Sequence, residues 1–514
     1  MTTLTPGFPA NPARIWFGFV AMSIGMFMAI LDIQVVATSL PTIQAAIGVQ
    51  PDQMSWIQTA YLIAEVIAIP LTGFLTRAFT MRWLFVGAVT LFSVASLGCA
   101  LSQDFETLIV WRVIQGFSGG TLIPAVFSAV FLLFPERRQG VATTIAGVVA
   151  VLAPTVGPIV GGWITQTWSW HWLFLVNLGP GVICAVSASF LLPVEKTDLR
   201  QARRLDLVTL TLMALALAAL EIALKEAPQR GWASPLVLGL VVLSLSSGVG
   251  FVRRSLRGKS PPVELRTLRN PSFAVGCVLS FVLGIGLFGS TYLMPVFLAF
   301  VRGHGPLTIG TIMLVTGLAQ LAMAPVAVIL EKRLDARLLT GCGFALFALG
   351  LGMSGFQTTG TDFDEMFWPQ MVRGVAIMLC LLPPTRLALG DLPLPEVPDA
   401  SGLFNLMRNL GGAIGLALID TVIYGRAPVL GRQIVERLQA GDMKEAEAVG
   451  VPLGLFAARI GQPVDDSTRA MLAPLVEKLA LVRAINEAWL LIAILTVLAL
   501  CLVPFAKRRT PQAG

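Results

Sequence analysis

The chain has 514 residues, of which 55% are hydrophobic and only 13% are charged, and its mean hydropathy is +0.79. These values exclude a soluble globular protein and indicate a polytopic membrane protein. The formal charge of +7 would suggest nucleic-acid binding in a soluble chain, but the basic residues here lie in loops between apolar segments and report topology.

Windows of about 20 residues, the length that crosses a hydrocarbon core, predict fourteen spans. They are centred near residues 27, 65, 93, 118, 151, 182, 215, 243, 285, 318, 348, 378, 412 and 495. With the amino terminus in the cytoplasm, 22 of the 36 Lys and Arg residues lie on the inner side, whereas the short outer loops hold only Lys225, Arg230 and Arg302. This asymmetry predicts that both termini are cytoplasmic. The first apolar run, Phe17–Ala37, is predicted to be a retained helix and not a signal peptide.

Ionisable residues within the predicted spans are functional candidates, because a lone charge at the bilayer centre costs about 3 kcal/mol. In chain order they are Asp32, Glu65, Arg112, Glu221, Arg373, Arg408 and Asp420. Asp32 and Glu65 are candidate proton carriers, because burial disfavours a carboxylate and a nearby cation favours it. Their alternative roles are a helix-end cap for Asp32 and a protonated acid bonded to a neighbouring helix for Glu65.

The intramembrane arginines cannot lose their protons, so each must face an acid, carbonyl groups or water. Arg408 is considered together with Asn405, whereas Arg373, near the outer end of its span, is predicted to snorkel to the interface. Glu221 and Asp420 lie toward the outer ends of their spans and are predicted to be interfacial, although both are kept as cavity or coupling candidates.

The fifth span carries two prolines and three glycines, which are Pro154, Gly157, Pro158, Gly161 and Gly162. Each proline removes a backbone donor and presses on the carbonyl four residues earlier, so this helix should bend. The glycines leave one face without side chains, which lets a neighbouring helix approach closely. We therefore predict a kinked hinge that packs tightly against the opposite half of the molecule, near the inner end of the cavity.

The chain repeats itself at a fixed offset. Arg112-x-x-Gln115-Gly116 in span 4 is echoed by Gln370-x-x-Arg373-Gly374 in span 12, with the glycines 258 positions apart. Because each match jumps an even number of spans, direction is preserved and the halves are predicted to be parallel repeats. The predicted domains are a six-helix bundle at 1–195, an inserted helix pair at 196–260 and a second six-helix bundle at 261–514.

The outer loop at 425–483 is longer than a connection between two spans requires, and its apolar residues recur at helical spacing. We predict short amphipathic helices that cap the outer mouth. Self-packing on the outer surface and docking of a second protein are both compatible with this pattern.

Four separated motifs resemble the fourteen-helix drug:proton antiporter branch of the major facilitator superfamily, the EmrB/QacA type. They are LDIQVVATSLP at 31–41, RVIQG at 112–116, GPIVGG at 157–162 and NLMRNLGG at 405–412. The resemblance implies an all-α major facilitator fold with spans arranged as 6+2+6. Two departures stand in the loop after span 2, where Thr76 replaces the usual acidic residue and Thr80 the usual glycine. That loop thus lacks the acid of the usual inner-face salt bridge.

The resemblance also implies roles for single residues. Arg112 would relay or tune proton binding near Asp32, with Gln115 beside it in the same motif. Gln34 and Thr38 stand where the branch usually has threonine and asparagine, which bears on the proton or substrate site. In bacteria with two membranes, branch members hand substrate to a periplasmic adaptor protein, so an adaptor is predicted to dock at 425–483.

Together these patterns predict a proton-coupled antiporter in the bacterial inner membrane that exports lipophilic, cationic compounds by alternating access. The alternatives are an exporter of one metabolite such as a fatty acid or siderophore, an importer, and, from a different class, a membrane-embedded enzyme or sensor. No convergent nucleophile and base, nucleotide motif or histidine-based zinc pattern is evident, so no catalytic residue, cofactor or metal is predicted. An ion gradient is therefore the expected driving force.

Overall fold

The structure is a computed structural model that describes residues 12–48, 56–194, 206–258, 261–390, 392–457 and 466–505. Within these ranges every element of regular structure is a helix, which confirms the predicted all-α fold. The helices before the second half are α1 Pro12–Ile47, α2 Trp56–Ala68, α3 Thr72–Leu101, α4 Phe105–Leu133, α5 Glu136–Thr167, α6 Trp172–Leu175, α7 Leu178–Leu191, α8 Leu207–Arg230 and α9 Pro235–Arg257.

The remaining helices are α10 Pro271–Phe300, α11 Pro306–Arg333, α12 Ala336–Met353, α13 Phe363–Leu389, α14 Val397–Gln439, α15 Met443–Val449, α16 Leu453–Ala457 and α17 Asp466–Leu500. Short 3-10 turns lie at Ile69–Leu71, Leu265–Arg269, Ser354–Phe356, Leu394–Glu396 and Val503–Phe505. Polar side chains begin several membrane helices. Asp104 accepts from the Thr107 amide at 2.8 Å before α4, and Asp362 and Glu365 form a reciprocal capping box before α13.

Among the described residues, twelve helices are long and apolar enough to cross a membrane, or thirteen if the two arms of α5 form one span. One of the twelve is the 46-residue segment Trp56–Leu101, whose backbone leaves the helical region at Thr80 (φ 69°, ψ 159°). At 1.5 Å per residue this segment is about twice as long as a hydrocarbon core is thick. We therefore expect it to cross twice, and the total of fourteen spans stays a prediction.

Thr80 marks the turn between these two crossings. Its positive φ is a backbone conformation that favours glycine, which is the residue that the resembled family usually has there. Thr80 is also buried, and its hydroxyl has no hydrogen-bond partner among the described residues. The threonine therefore holds a strained turn, which costs on the order of 1–3 kcal/mol.

Two large apolar clusters form the core. One is built mainly from α1 to α7 around Phe85, Phe92 and Phe127, and the other from α10 to α14 and α17 around Phe347 and Trp489. The pair α8 and α9 packs together, and α8 also lies against α2 and α14. This arrangement matches two bundles with an inserted pair, although the boundaries 1–195, 196–260 and 261–514 stay a prediction.

An ion pair joins the two halves at the inner face, which we define as the face on which α1 begins. Arg77, at the end of the second predicted span, contacts the carboxylate of Asp399 at the start of α14. Ser401 Oγ also donates to the Pro124 carbonyl of α4 at 2.9 Å, and a Cβ on Gly402 would lie 2.9 Å from the Ile69 carbonyl. The inner face therefore has an ion pair although the loop after span 2 has Thr76 in place of an acid, because Asp399 of the second half supplies the carboxylate.

Removing this ion pair should open the inner face. We expect Asp399→Asn to increase labelling of a Ser401→Cys reporter by an impermeant maleimide about fivefold in inside-out vesicles, since about 1 kcal/mol changes an equilibrium that much. Asp364→Asn, at an exposed acid in the first turn of α13, is the matched control. Equal labelling in both variants would show that Arg77–Asp399 does not hold the inner face shut.

The prediction of short helices is wrong at both ends of the outer loop. α14 continues without a break to Gln439, and α17 begins at Asp466, so both membrane helices project beyond the outer surface. Leu430 and Ile434 of α14 pack against Val476 and Leu479 of α17. Because the apolar spacing continues through the charged stretch, each span extends as a helix. Among the described residues of the loop, which leave out 458–465, α15 and α16 match the predicted short helices.

Candidate functional site

A closed hydrogen-bond network surrounds Asp32 inside the first bundle. Its Oδ2 accepts from Arg112 Nη1 at 2.5 Å, and its Oδ1 accepts from Gln115 Nε2 at 3.0 Å and Asn177 Nδ2 at 2.8 Å. Ser96 Oγ accepts from Gln115 Nε2 at 2.8 Å. Asp32 is 1% exposed, and Arg112 and Gln115 are 0% exposed. We call these five residues the Asp32 cluster; it brings together Asp32 and Arg112, as predicted.

Arg112 is held from several sides. Its Nε donates to the Ile57 carbonyl at 3.0 Å, and its guanidinium lies 4.4 Å from the Tyr61 ring centroid and 5.8 Å from that of Phe174. A buried ion pair of this kind resists the loss of one partner, because removing either charge strands the other and costs about 3–5 kcal/mol. The pair can therefore act as a switch that responds to a proton on Asp32.

Two glycines on α4 allow α2 to come this close. A Cβ on Gly116 would lie 2.2 Å from the Tyr61 carbonyl oxygen, and one on Gly120 would lie 2.5 Å from the Glu65 carbonyl oxygen. Any larger residue would push α2 away from α4. The glycine that ends the RVIQG motif thus places the Ile57 carbonyl and the Tyr61 ring against Arg112.

A second charged group lies where α2, α8 and α14 meet. Glu65 is 3% exposed, and the charges that act on it are those of Glu221 of α8, Arg112 of α4 and Arg408 of α14. Arg408 Nη2 donates to Asn405 Oδ1 at 2.5 Å, and its guanidinium lies 5.5 Å from the Phe127 ring centroid of α4. We call Glu65, Glu221, Asn405 and Arg408 the Glu65 group. It draws on both bundles and on the inserted pair, and the interfacial position of the half-buried Glu221 stays a prediction.

The bend predicted for span 5 is present. The arms Glu136–Pro154 and Val156–Thr167 of α5 meet at 44°. Gly157, Pro158, Gly161 and Gly162 are all buried in the second arm.

Span 5 packs against the opposite half as predicted, because α5 lies against α11 of the second bundle, but Gly157 takes no part in that contact. A Cβ on Gly157 would lie 2.4 Å from Gln34 Cβ of α1, so this glycine faces its own bundle in the outer half of α5, because the bend turns it inward. The opposite bundle is met by Ile159, which a Cβ on Gly310 of α11 would approach to 2.3 Å.

Asp420 stands apart from both groups. It is half-buried and accepts from Tyr292 Oη of α10 at 2.8 Å. The structure thus gives Asp420 a local partner in the second bundle and does not bring it to Arg112 or Glu65.

The prediction that Arg373 snorkels is wrong. This side chain is 3% exposed, and its guanidinium lies 4.7 Å from the Trp489 ring centroid. Sequence reasoning also missed Asn177 and Ser96, whose only signal was a polar residue in an otherwise apolar segment. A neutral polar side chain in a span costs much less than a charged one, so Asn177 and Ser96 carry no sign that they pair with Asp32.

The described part of the chain contains no group of three or more His, Cys, Asp or Glu side chains placed to hold a metal ion. At the contact between the bundles lies a small cavity of about 30 Å³, lined in part by Pro154, Gln320 and Arg373. A larger cavity of about 790 Å³ opens on the far side of the second bundle, between α12, α13 and α17, away from both charged groups. The bundles are thus closed against each other around the predicted central cavity.

Comparison with known families and proteins gives a consistent result. The model of the Major Facilitator Superfamily matches residues 22–416. The chain is 39% identical over 415 residues to the colistin resistance protein EmrB of Acinetobacter baumannii, covering 80% of this chain and 81% of that protein. It is 28% identical over 430 residues to the multidrug export protein EmrB of Escherichia coli K12, covering 83% and 84%.

Solved structures share the fold at low identity. The human organic anion transporter MFSD10 superposes with a TM-score of 0.59 at 14% identity, covering 96% of this chain and 100% of that one. The proton:xylose symporter XylE gives 0.57 at 12% identity, covering 97% of both chains. At these identities the likeness concerns the fold alone.

Proposed function

Because the chain belongs to the major facilitator superfamily, we propose that it is a proton-coupled antiporter that exports lipophilic compounds by alternating access. The Asp32 cluster carries this proposal. It places one carboxylate, one permanent cation and two amide donors in a water-excluded site between α1, α4 and α7. Protonation of Asp32 removes the negative charge that holds Arg112. Binding of a proton at this site can therefore cause the helices to rearrange.

The Glu65 group supports the coupling to substrate. Glu65 and Glu221 supply two carboxylates where α2, α8 and α14 meet, and Arg408 lies in the same group. A cationic substrate would compete with Arg408 for these acids, and a proton would displace that substrate. This competition gives antiport, since proton and cation cannot both satisfy the same carboxylates. Lipophilic cations are therefore the substrates that this group favours.

One alternative function, export of a single metabolite, is supported by the name of a relative. The fatty acid resistance protein FarB of Neisseria gonorrhoeae is 28% identical over 416 residues, covering 80% of this chain and 82% of that protein. Its name favours export of one metabolite class. An embedded enzyme or sensor receives no such support, because the matching family consists of transporters.

A substrate panel in proteoliposomes with an imposed pH gradient tests the proposal. We expect lipophilic cations to accumulate on the acidic side and to stop accumulating when an ionophore collapses the gradient. Accumulation of one fatty acid or siderophore alone would favour the metabolite exporter. Transport that ignores the pH gradient would overturn proton coupling.

The protein is a multi-pass membrane protein, and we place it in the bacterial inner membrane with both ends cytoplasmic. The basic residues of the inner loops support this orientation. The bundle boundaries 1–195, 196–260 and 261–514 belong to the same proposal, with the cavity between the first and third units.

We further assign the outer extension of α14 and α17 to docking of a periplasmic adaptor. Met471 and Leu475 are 65% and 36% exposed and lie one turn apart on α17. Arg426–Glu487 and Arg483–Glu445 ion pairs, at 2.6 and 2.7 Å, stiffen the extension that presents them. An apolar pair on a stiff projection fits a partner helix.

Charging this pair should separate docking from transport. We expect Met471→Glu with Leu475→Glu to lose adaptor pull-down and whole-cell resistance, while purified protein still exchanges substrate for protons in vesicles. A Lys444→Glu variant is the charge control, because Lys444 lies in α15 of the same extension. If vesicle exchange fails as well, the extension belongs to the transport core and docking loses its support.

A further inference from the structure

Arg373 is a buried cation without a counter-ion in the described part of the chain. Its Nη2 lies 3.5 Å from the Met294 sulfur, whereas its Nε and Nη1 are buried and have no hydrogen-bond partner among the described residues. The Trp489 ring faces the guanidinium but supplies no negative charge. A buried charge of this kind is costly unless something pairs with it.

The internal repeat explains why the partner is missing. At the offset of 258 positions, Gln115 corresponds to Arg373 and Arg112 to Gln370, so the two side chains are exchanged between the halves. Asp32 corresponds to Ser290 at the same offset. The first bundle therefore has a cation with its acid, while the second has a cation and a hydroxyl where the acid would stand.

The geometry agrees with this correspondence. Ser290 and Arg373 both line the 30 Å³ cavity at the contact between the bundles, together with Pro154 of the α5 bend. Ser290 Oγ donates within its own helix, to the Leu287 carbonyl at 3.0 Å, and so leaves the guanidinium free. The cavity has room for about one water-sized group. One of its walls is formed by Pro154 of α5, which belongs to the first bundle, whereas Arg373 belongs to the second. The cavity would widen when the bundles separate.

A neutral polar atom of the cavity lining is also unsatisfied, because Gln320 Oε1 is buried without a hydrogen-bond partner among the described residues. Gln370 Oε1 accepts from Thr316 Oγ1 at 3.1 Å, but its Nε2 is buried without a partner among the described residues. Gln370 is 0% exposed and Gln320 is 1% exposed. An anion bound in the cavity would accept from the guanidinium of Arg373, whereas Gln370, one turn away on the same helix, does not line the cavity.

We propose that Arg373 is a binding site for the anionic group of an amphipathic substrate, which takes the place that Asp32 holds in the first bundle. This inference rests on the proposed export function and assigns the contact that would hold the headgroup of a lipophilic monoanion. No member of the Glu65 group lines the cavity at Arg373, so the two classes would use different contacts. The apolar remainder of either substrate would lie against the α5 bend.

Two substrates with the same tail test the site. Decanesulfonate and decyltrimethylammonium carry permanent opposite charges, so neither crosses a bilayer readily without the protein. We expect purified full-length protein in proteoliposomes to exchange both. Arg373→Gln should reduce sulfonate exchange about tenfold or more and change ammonium exchange by less than about twofold.

A second variant guards against misfolding of Arg373→Gln. Ser290→Asp places a carboxylate at the position equivalent to Asp32 and should fill the site from within, so sulfonate exchange should fall while Arg373 stays in place. Ser290→Asn, which is neutral and of similar size, should keep both activities. An increase in the KM for sulfonate alone marks a binding role that a structural arginine would not show.

Several outcomes would overturn the inference. Sulfonate exchange that survives both Arg373→Gln and Ser290→Asp would do so, as would equal loss of both substrates in Ser290→Asp. If the variants change only a response to chloride, the pocket holds an inorganic anion and not a substrate group. Wild-type protein that exchanges the ammonium but no sulfonate refutes this site and leaves the proposed function standing. Exchange of neither substrate would contradict the proposed function itself.

Discussion

Asp32→Asn is expected to abolish transport driven by a pH gradient. The amide cannot carry the exchanged proton, and the hold on Arg112 no longer changes with protonation of its neighbour. In proteoliposomes, uphill accumulation of a lipophilic cation should fall at least about a hundredfold, toward the rate of passive exchange, which corresponds to about 2.7 kcal/mol of lost coupling. Downhill exchange should persist, because the Glu65 group is unchanged.

The same substitution leaves Arg112 buried without its anion, so its effect on folding must be separated from its effect on coupling. We expect Asp32→Asn to lower thermal stability and the double variant Asp32→Asn/Arg112→Gln to recover much of it, since both charges are then removed. Coupling should not recover. Asp32→Glu keeps a carboxylate and should retain part of the coupling. Full uphill transport by Asp32→Asn would exclude Asp32 as the proton carrier.

Gly157→Leu is expected to stop export by forcing α5 away from α1. A Cβ at this position would already lie 2.4 Å from Gln34 Cβ, and leucine adds three further carbons. Overpacking of this size costs about 1–3 kcal/mol or more when helices cannot separate. Export of any substrate should fall about tenfold or more in vesicles that contain equal amounts of inserted protein.

Gly87→Leu is the matched control for this variant. Gly87 lies in α3 with an exposed surface, and a Cβ there would meet nothing within 4 Å. It should export at the wild-type rate. Normal export by a correctly inserted Gly157→Leu variant would show that the close contact between α5 and α1 is not needed for the transport cycle.

Much of this architecture is readable from the sequence because the bilayer imposes it. Apolar length gives the spans, Pro154 and Pro158 give the bend of α5, and the cost of buried charge singles out Asp32 and Arg112. Partners across the bundle are harder to predict. Asn177 and Ser96 are neutral, so nothing in a single sequence distinguishes a donor to Asp32 from an ordinary polar residue.

Orientation around a helix axis is the second limit. Arg373 lies near the end of a span, where a long side chain usually reaches water, but in the structure it turns inward onto Trp489. Gly157 lies on a glycine-rich face, yet the bend decides which neighbour that face meets. The extension of α14 to Gln439 was hidden because charged residues interrupt the apolar run without breaking the helix.

Proton release on substrate binding tests the central claim most directly. Purified protein in weakly buffered detergent solution is mixed with a saturating lipophilic cation, and the pH change is followed with an indicator dye. The account predicts that wild-type protein releases protons in proportion to the substrate bound, and that Asp32→Asn binds substrate with a smaller release, because only the Glu65 group then exchanges protons. Equal proton release from both proteins, or none from the wild type while substrate binds, would contradict proton exchange at Asp32.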